Sequence, residues 1–399
     1  MSLSSVSKYF IAFYVLACLN LFSATFLPIT PTEFKAAQSI LFIIIVLLTL
    51  RKSIDKTTFT LPFAIIIVGM LISIYMGASM HEGQTIAESI RATLPRLMAY
   101  SLFFLLCKIR PSIELTEKFI FTMGAISALL VIQVWLLFPN VLFGYFSENN
   151  IRGIRMIVAG DTFKMALFFF CINILMIKKK KACAFLLVVA TTSIILGVVR
   201  QIIILTAVLS IFFVMKNSNL FKKVLFAIVV ALAFSFVTTT ERYQGLKKYT
   251  ENEVYKNQGG ENIRVTAFKY YVNNAQENIV TRIFGNGDFA ETSAYGRTSL
   301  ANQKKTLCFP TDVGWAYFYH VYGLFGVLGL LMIAYRTYKI QLPFRYHYLK
   351  YTVFYLIFVF IASGSLLYYA QCVVLPFLCY LMDKASKQHQ SIIEAEVNS

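Results

Sequence analysis

Residues 182–215 read ACAFLLVVATTSIILGVVRQIIILTAVLSIFFVM. The only charge in this stretch is Arg200. A bilayer core takes about 20 apolar residues per helix, so the stretch is too long for one crossing and right for two joined tightly at the arginine. Working outward, the same reading marks twelve apolar spans, at about 9–27, 36–50, 59–78, 93–107, 118–138, 162–177, 182–199, 201–215, 221–239, 313–335, 349–364 and 366–382. The expected architecture is an all-α polytopic membrane protein, one integral domain over residues 1–399. Its single large extramembrane piece, 240–311, falls between spans nine and ten.

Composition agrees. Of 399 residues 58% are hydrophobic and 14% charged, about half the charged share of a soluble domain. The 37 Phe and 23 Tyr exclude a disordered chain. Among the seven cysteines only Cys308 lies in the long polar loop, so no disulfide within that loop is expected. The first apolar run has span length and no small-x-small cleavage pattern, so no cleaved signal peptide is expected either.

The net charge of +18 invites a nucleic-acid reading, but its distribution argues for topology. Alternate loops, with Lys8, Lys384 and Lys387, hold 20 of the 37 basic residues; the short loops opposite hold seven. This bias places the first set and both termini in the cytoplasm. The 240–311 loop, with ten basic and seven acidic residues, is then on the outer side. Within it 241–257 reads as a polar helix ended at Gln258-Gly259-Gly260. NIRVTAFKYYVNN follows, with Val265, Phe268 and Val272 at helical spacing, an amphipathic helix for the membrane face or for covering a cavity. IFGNGDF, at 283–289, is a glycine turn.

No Walker A loop, Asp-x-Asp pair or Gly-x-Ser-x-Gly elbow is present, and the four histidines are scattered. Neither a metal nor a cofactor is expected. Cytoplasmic loops are too short for a catalytic domain, so chemistry is expected on the outer side. Arg200 is the sharpest candidate, because a charge at membrane depth costs several kcal/mol unless it is paired or meets water. A guanidinium there suits a diphosphate or carboxylate; the structural alternative is a snorkelling arginine at a tight turn. Arg91 and Arg96 flank Pro95 at the outer entry to span four, and Arg152 and Arg155 lie in SENNIRGIRM, read as re-entrant or interfacial. Together with Arg264 they suit a cationic funnel for an anionic lipid head group, or simply a rim attracted to lipid phosphates. Asp312 stands where polar loop gives way to apolar helix, placed for a general base or for helix capping. His320 lies among aromatics, and Gly323, Gly326 and Gly329 read as a close helix-packing face.

Over roughly 190–335 these features resemble the O-antigen polymerase and O-antigen ligase superfamily of bacterial membrane glycosyltransferases. The resemblance rests on four ordered parts. They are Arg200 opening a span, the Arg264-led helix NIRVTAFKYY, the IFGNGDF turn, and Asp312 eleven positions before the segment starting at Gly323. It implies a C-type glycosyltransferase-like helical fold in the bacterial inner membrane, with the active site facing the periplasm. The implied donor is an oligosaccharide on undecaprenyl diphosphate, used without a metal. Arg200 and Arg264 would grip the diphosphate, Asp312 would act as base, and Arg91, Arg96, Arg152, Arg155 and His320 would contact substrate. Membrane lipids and a chain-length regulator protein are the implied partners. Ligases of the superfamily usually carry His where Asp312 stands, so the resemblance favours a polymerase of O-antigen or a related surface polysaccharide. The alternatives are a ligase acting on lipid A core and, from another class, a lipid-linked oligosaccharide flippase.

Overall fold

The structure, a computed structural model, describes residues 3–55, 57–81, 83–149, 153–178, 180–197, 199–217, 263–276 and 278–397. The ninth expected span, 221–239, and the polar helix expected at 241–257 lie outside the described residues.

The described chain is almost wholly helical. Its N-terminal half holds α1 (Leu3–Cys18), α2 (Pro31–Thr49), α3 (Thr60–Ser79), α4 (Ile86–Ile109) and α5 (Ile113–Leu136). A two-stranded antiparallel ribbon follows, β1 (Tyr145–Asn149) and β2 (Gly153–Ile157), then α6 (Asp161–Ile177), α7 (Lys181–Leu196) and α8 (Arg200–Asn217). Beyond the undescribed stretch come the short helices α9 (Ile263–Lys269), α10 (Ile279–Phe284) and α11 (Ala294–Thr306). The chain ends with α12 (Gly314–Lys339), α13 (His347–Ile361) and α14 (Val374–Val397). Five helices, α2 from Thr32, α3, α4, α5 and α12, are long and apolar enough to cross a membrane.

Local sequence explains several boundaries. α2 and α4 both begin with a capping box, Thr30 with Glu33 and Thr85 with Glu88, which satisfies the first free N–H groups of each helix. α1 stops at Cys18, short of the expected 27, because Asn20–Ser23 turns into left-handed backbone. That turn is held from a distance: the Gly144 N–H donates to the carbonyls of Phe22 and Ser23, and the Thr25 N–H donates to Leu142. SENNIRGIRM contributes Ser147–Asn149 to the first strand and its last four residues, from Gly153, to the second, with Ser147 opposite Arg155 and Asn149 opposite Gly153.

Hydrogen bonds between loops sort the turns into two ends. At one end Arg110 pairs with Asp55, the Tyr380 hydroxyl donates to Pro111, and Asp383 accepts from the Thr58 N–H. Arg345 and the Tyr348 hydroxyl both reach the buried Glu117 there. At the other end Ala294 donates to Gly83, and the 20–25 turn pairs with 141–144. Among the described loops, the first end carries the basic ones around 51–58, 108–113 and 340–347; the second carries 263–313. The alternation matches the basic-residue asymmetry.

Between the ends, α12 lies along α3. Gly329 sits against Ile66 and Pro62, and Gly69 faces Gly326, so two of the three spaced glycines serve close helix packing. The third does something else: α12 is broken at Gly323, whose φ of 61° and ψ of −157° belong to no helix.

Candidate functional site

A helix break frees backbone carbonyls, and a buried unpaired carbonyl costs as much as a lost hydrogen bond. Here the IFGNGDF turn takes them. The Asn286 N–H donates to the His320 carbonyl at 2.7 Å, and the Gly287 N–H donates to the Val321 carbonyl at 3.1 Å. The turn thus lies inside the bundle, wedged between α3, α4 and α12. Gly287, at φ 77°, rests directly on Gly77 of α3, and a Cβ on Gly287 would collide with that backbone. Gly285 and Gly323 pass one another with the same intimacy.

The wedge is locked by charge. Asp288 is 3% exposed and its carboxylate lies 2.6 Å from the Arg96 guanidinium. The same guanidinium donates to the Tyr322 hydroxyl at 2.8 Å, just before the break. Burial holds the Asp288 carboxyl above its ordinary value, and Arg96 offsets only part of that rise. Gln84 clamps the following residues with its whole amide. Its Nε2 donates to the Asp288 carbonyl and to Ser89 Oγ, and its Oε1 accepts from the Ala290 N–H and Ser293 Oγ.

Next to the wedge stands a wall of rings. The Asn286 side-chain nitrogen donates to the Ala275 carbonyl and to Gln276 Oε1 and lies 3.0 Å from His320 Nδ1. The His320 ring packs against Tyr271 and Tyr317. The Tyr271 hydroxyl donates to the Cys308 carbonyl, and burial pushes that phenol up. His81 stacks flat on Tyr295, ring centroids 3.7 Å apart. The arrangement supplies one buried ion pair, one oriented imidazole and several phenols. Among the described residues no three His, Cys, Asp or Glu side chains gather into a metal-sized cluster.

The residues expected from sequence divide as follows. Arg96 and His320 are joined through the IFGNGDF turn. Asp312 is half-buried in a short 3-10 turn, Pro310–Asp312, leading into α12, and lies in electrostatic range of Tyr271 and Tyr368. The N-cap of α12 is Val313, which makes no side-chain capping bond. Arg91 is exposed, five residues outward from Arg96 on α4. Arg264 is half-buried on α9 and engaged in an interaction. On that helix and the π-helical turn after it, Ala267 and Tyr271 are the buried positions while Val265 and Phe268 stay exposed. Arg200 is the first residue of α8 and Arg155 lies on β2; their side chains, and Arg152 altogether, fall outside the described residues.

Asp288, Asn286, Gln84, Tyr322 and Tyr295 were not picked out by sequence. The available signal was the acid inside a glycine turn in a chain with an arginine within an apolar span, since buried charges need partners. Against known proteins, no family model and no curated sequence matches the chain.

Proposed function

We propose that this chain is a twelve-span inner-membrane glycosyltransferase with a C-type-like fold, and that it polymerises O-antigen or a related surface polysaccharide. In this reading an undecaprenyl-diphosphate-linked glycan is transferred onto a lipid-linked repeat unit at the periplasmic face. The observation that carries it is the wedge. At the end opposite the basic loops, a turn from the long loop is built into the bundle, and a half-buried acid that caps no helix, Asp312, leads into α12 within electrostatic range of Tyr271. Such a fixed polar wall suits a step in which water must be excluded while a hydroxyl attacks a lipid-borne sugar. Asp312 accepts the acceptor's proton, Arg200 and Arg264 stabilise the departing diphosphate, and the remaining outer arginines guide the anionic lipid in.

A lipid flippase with a discontinuous helix is the main competing class, since transporters expose unwound backbone to their cargo. The break at Gly323 offers little of that kind, because the turn already occupies the carbonyls of His320 and Val321. Purified protein supplied with lipid-linked repeat units tests the proposal: longer lipid-linked glycans are expected. Relocation of the lipid without extension overturns it in favour of a flippase, and transfer only to a lipid A core acceptor overturns it in favour of a ligase.

A further inference from the structure

Apart from the wedge, Glu117 and Asp383, one more charge is buried among the described helices. Lys164, in the first turn of α6, pairs with Asp161 at 2.7 Å. A cation so close to a helix N-terminus opposes the helix dipole, and an acid there already suits it without help. The lysine therefore stands against the dipole, and a buried charge held in such a place is a candidate functional group.

The two partners differ in freedom. The Lys164 side chain is 5% exposed, whereas that of Asp161 is 33% exposed. The lysine is walled in; the short aspartate borders open space and can swing away. Beside them lies a cavity of about 30 Å³, lined by both charges, Met156 of β2, Gly197 and Val199 at the α7–α8 turn, and Tyr355 of α13. That volume holds about two water-sized atoms, which matches the two oxygens along one edge of a phosphate. An ammonium is a compact point charge of the kind that binds phosphate.

The geometry points to Lys164 as a phosphate-binding site, in which phosphate oxygens take the place of the Asp161 carboxylate beside the ammonium. Asp161 is then the resident counter-ion that pairs with the lysine while the site is empty. This assignment needs no turnover, so it stands or falls separately from the transfer reaction. The phosphate can belong to a lipid head group or to a soluble molecule.

The test measures binding of inorganic pyrophosphate and of farnesyl diphosphate to purified full-length protein in nanodiscs. Lys164→Met should weaken binding about tenfold or more, the scale of one hydrogen bond to a charged group. Asp161→Asn removes the competing carboxylate and should tighten binding several-fold. Opposite shifts with both probes support a site that reads the phosphate alone; opposite shifts only with farnesyl diphosphate support a lipid-borne ligand. A purely structural ion pair predicts no change, or changes of the same sign, and either result overturns the proposal, as does failure of the unmodified protein to bind both probes. Should Lys164→Met not fold, Asp161→Asn decides alone: tightening supports the site and unchanged affinity overturns it.

Discussion

Arg96 of α4 and Asp288 of the glycine turn face each other at 2.6 Å, the aspartate almost wholly out of contact with solvent. Elements far apart in the chain are joined by this pair at the point where α12 is interrupted. Removing one partner should leave an uncompensated buried charge, with an expected cost of about 3–5 kcal/mol. Asp288→Asn is therefore expected to lower the thermal midpoint strongly. Adding Arg96→Met to it should recover much of the loss, since the bare charge is then gone. A double-mutant cycle checks this, and additive losses would show that the two residues do not interact.

Gly323 should tolerate no side chain. Its positive φ with extended ψ is a glycine conformation, and a Cβ would meet the Ile283 carbonyl. Gly323→Ala should cost at least about 1–3 kcal/mol from backbone strain alone and undock the turn. The measure is protease nicking within 285–293 together with the thermal midpoint. Gly197→Ala, where the added carbon meets only ordinary contacts, is the matched control and should behave like the parent.

Asp312→Asn separates chemistry from architecture. α12 receives no side-chain cap at Val313, so the amide should leave folding untouched. Loss of a general base is expected to cost on the order of 10²–10⁴ in the rate of glycan extension. The purified variant should thus match the parent in thermal stability and fail in polymerisation. Near-normal polymerisation would remove Asp312 from the mechanism and turn attention to His320. Arg200→Lys should also impair turnover, because a point charge does not reproduce the planar fork of a guanidinium.

Sidedness can be read with single cysteines. All seven native cysteines are buried, so background labelling should be low. Glu291→Cys, exposed at the end that carries the wedge, should react with an impermeant thiol reagent on intact cells. Glu114→Cys, exposed at the opposite end, should react only after permeabilisation. The reverse pattern would invert the orientation and with it the proposed donor.

Much of the helical framework was legible because lipid-facing residues must be apolar, and apolarity is visible residue by residue. α3, α5 and α6 lie close to the runs that announced them. Helix ends were less legible. α14 begins at Val374 and continues through Lys384 and Lys387 to Val397, because helicity does not stop where hydropathy falls. The end of α1 depends on hydrogen bonds from residues 142–144, which a local pattern cannot register. In the site, Arg96 was legible only as one of two arginines flanking Pro95 at a span entry, and its partner was not, since nothing nearby in the chain names Asp288. Gly323 was read with Gly326 and Gly329 as a packing face; spacing alone does not distinguish a glycine that packs from one that breaks. His320 was read as lying among aromatics, and Tyr271 and Tyr317 provide that setting.

The interruption of α12 also bears on how the molecule is made. Ribosomes deliver the chain from the N-terminus, so α3, α4 and then the glycine turn all emerge before α12. Every group that satisfies the freed carbonyls of His320 and Val321 is therefore already synthesised when that helix reaches the bilayer. A circular permutation that moved residues 275–293 behind α12 would present the same contacts in the wrong temporal order. The broken helix would then enter lipid with two bare carbonyls, the kind of intermediate that membrane quality control removes.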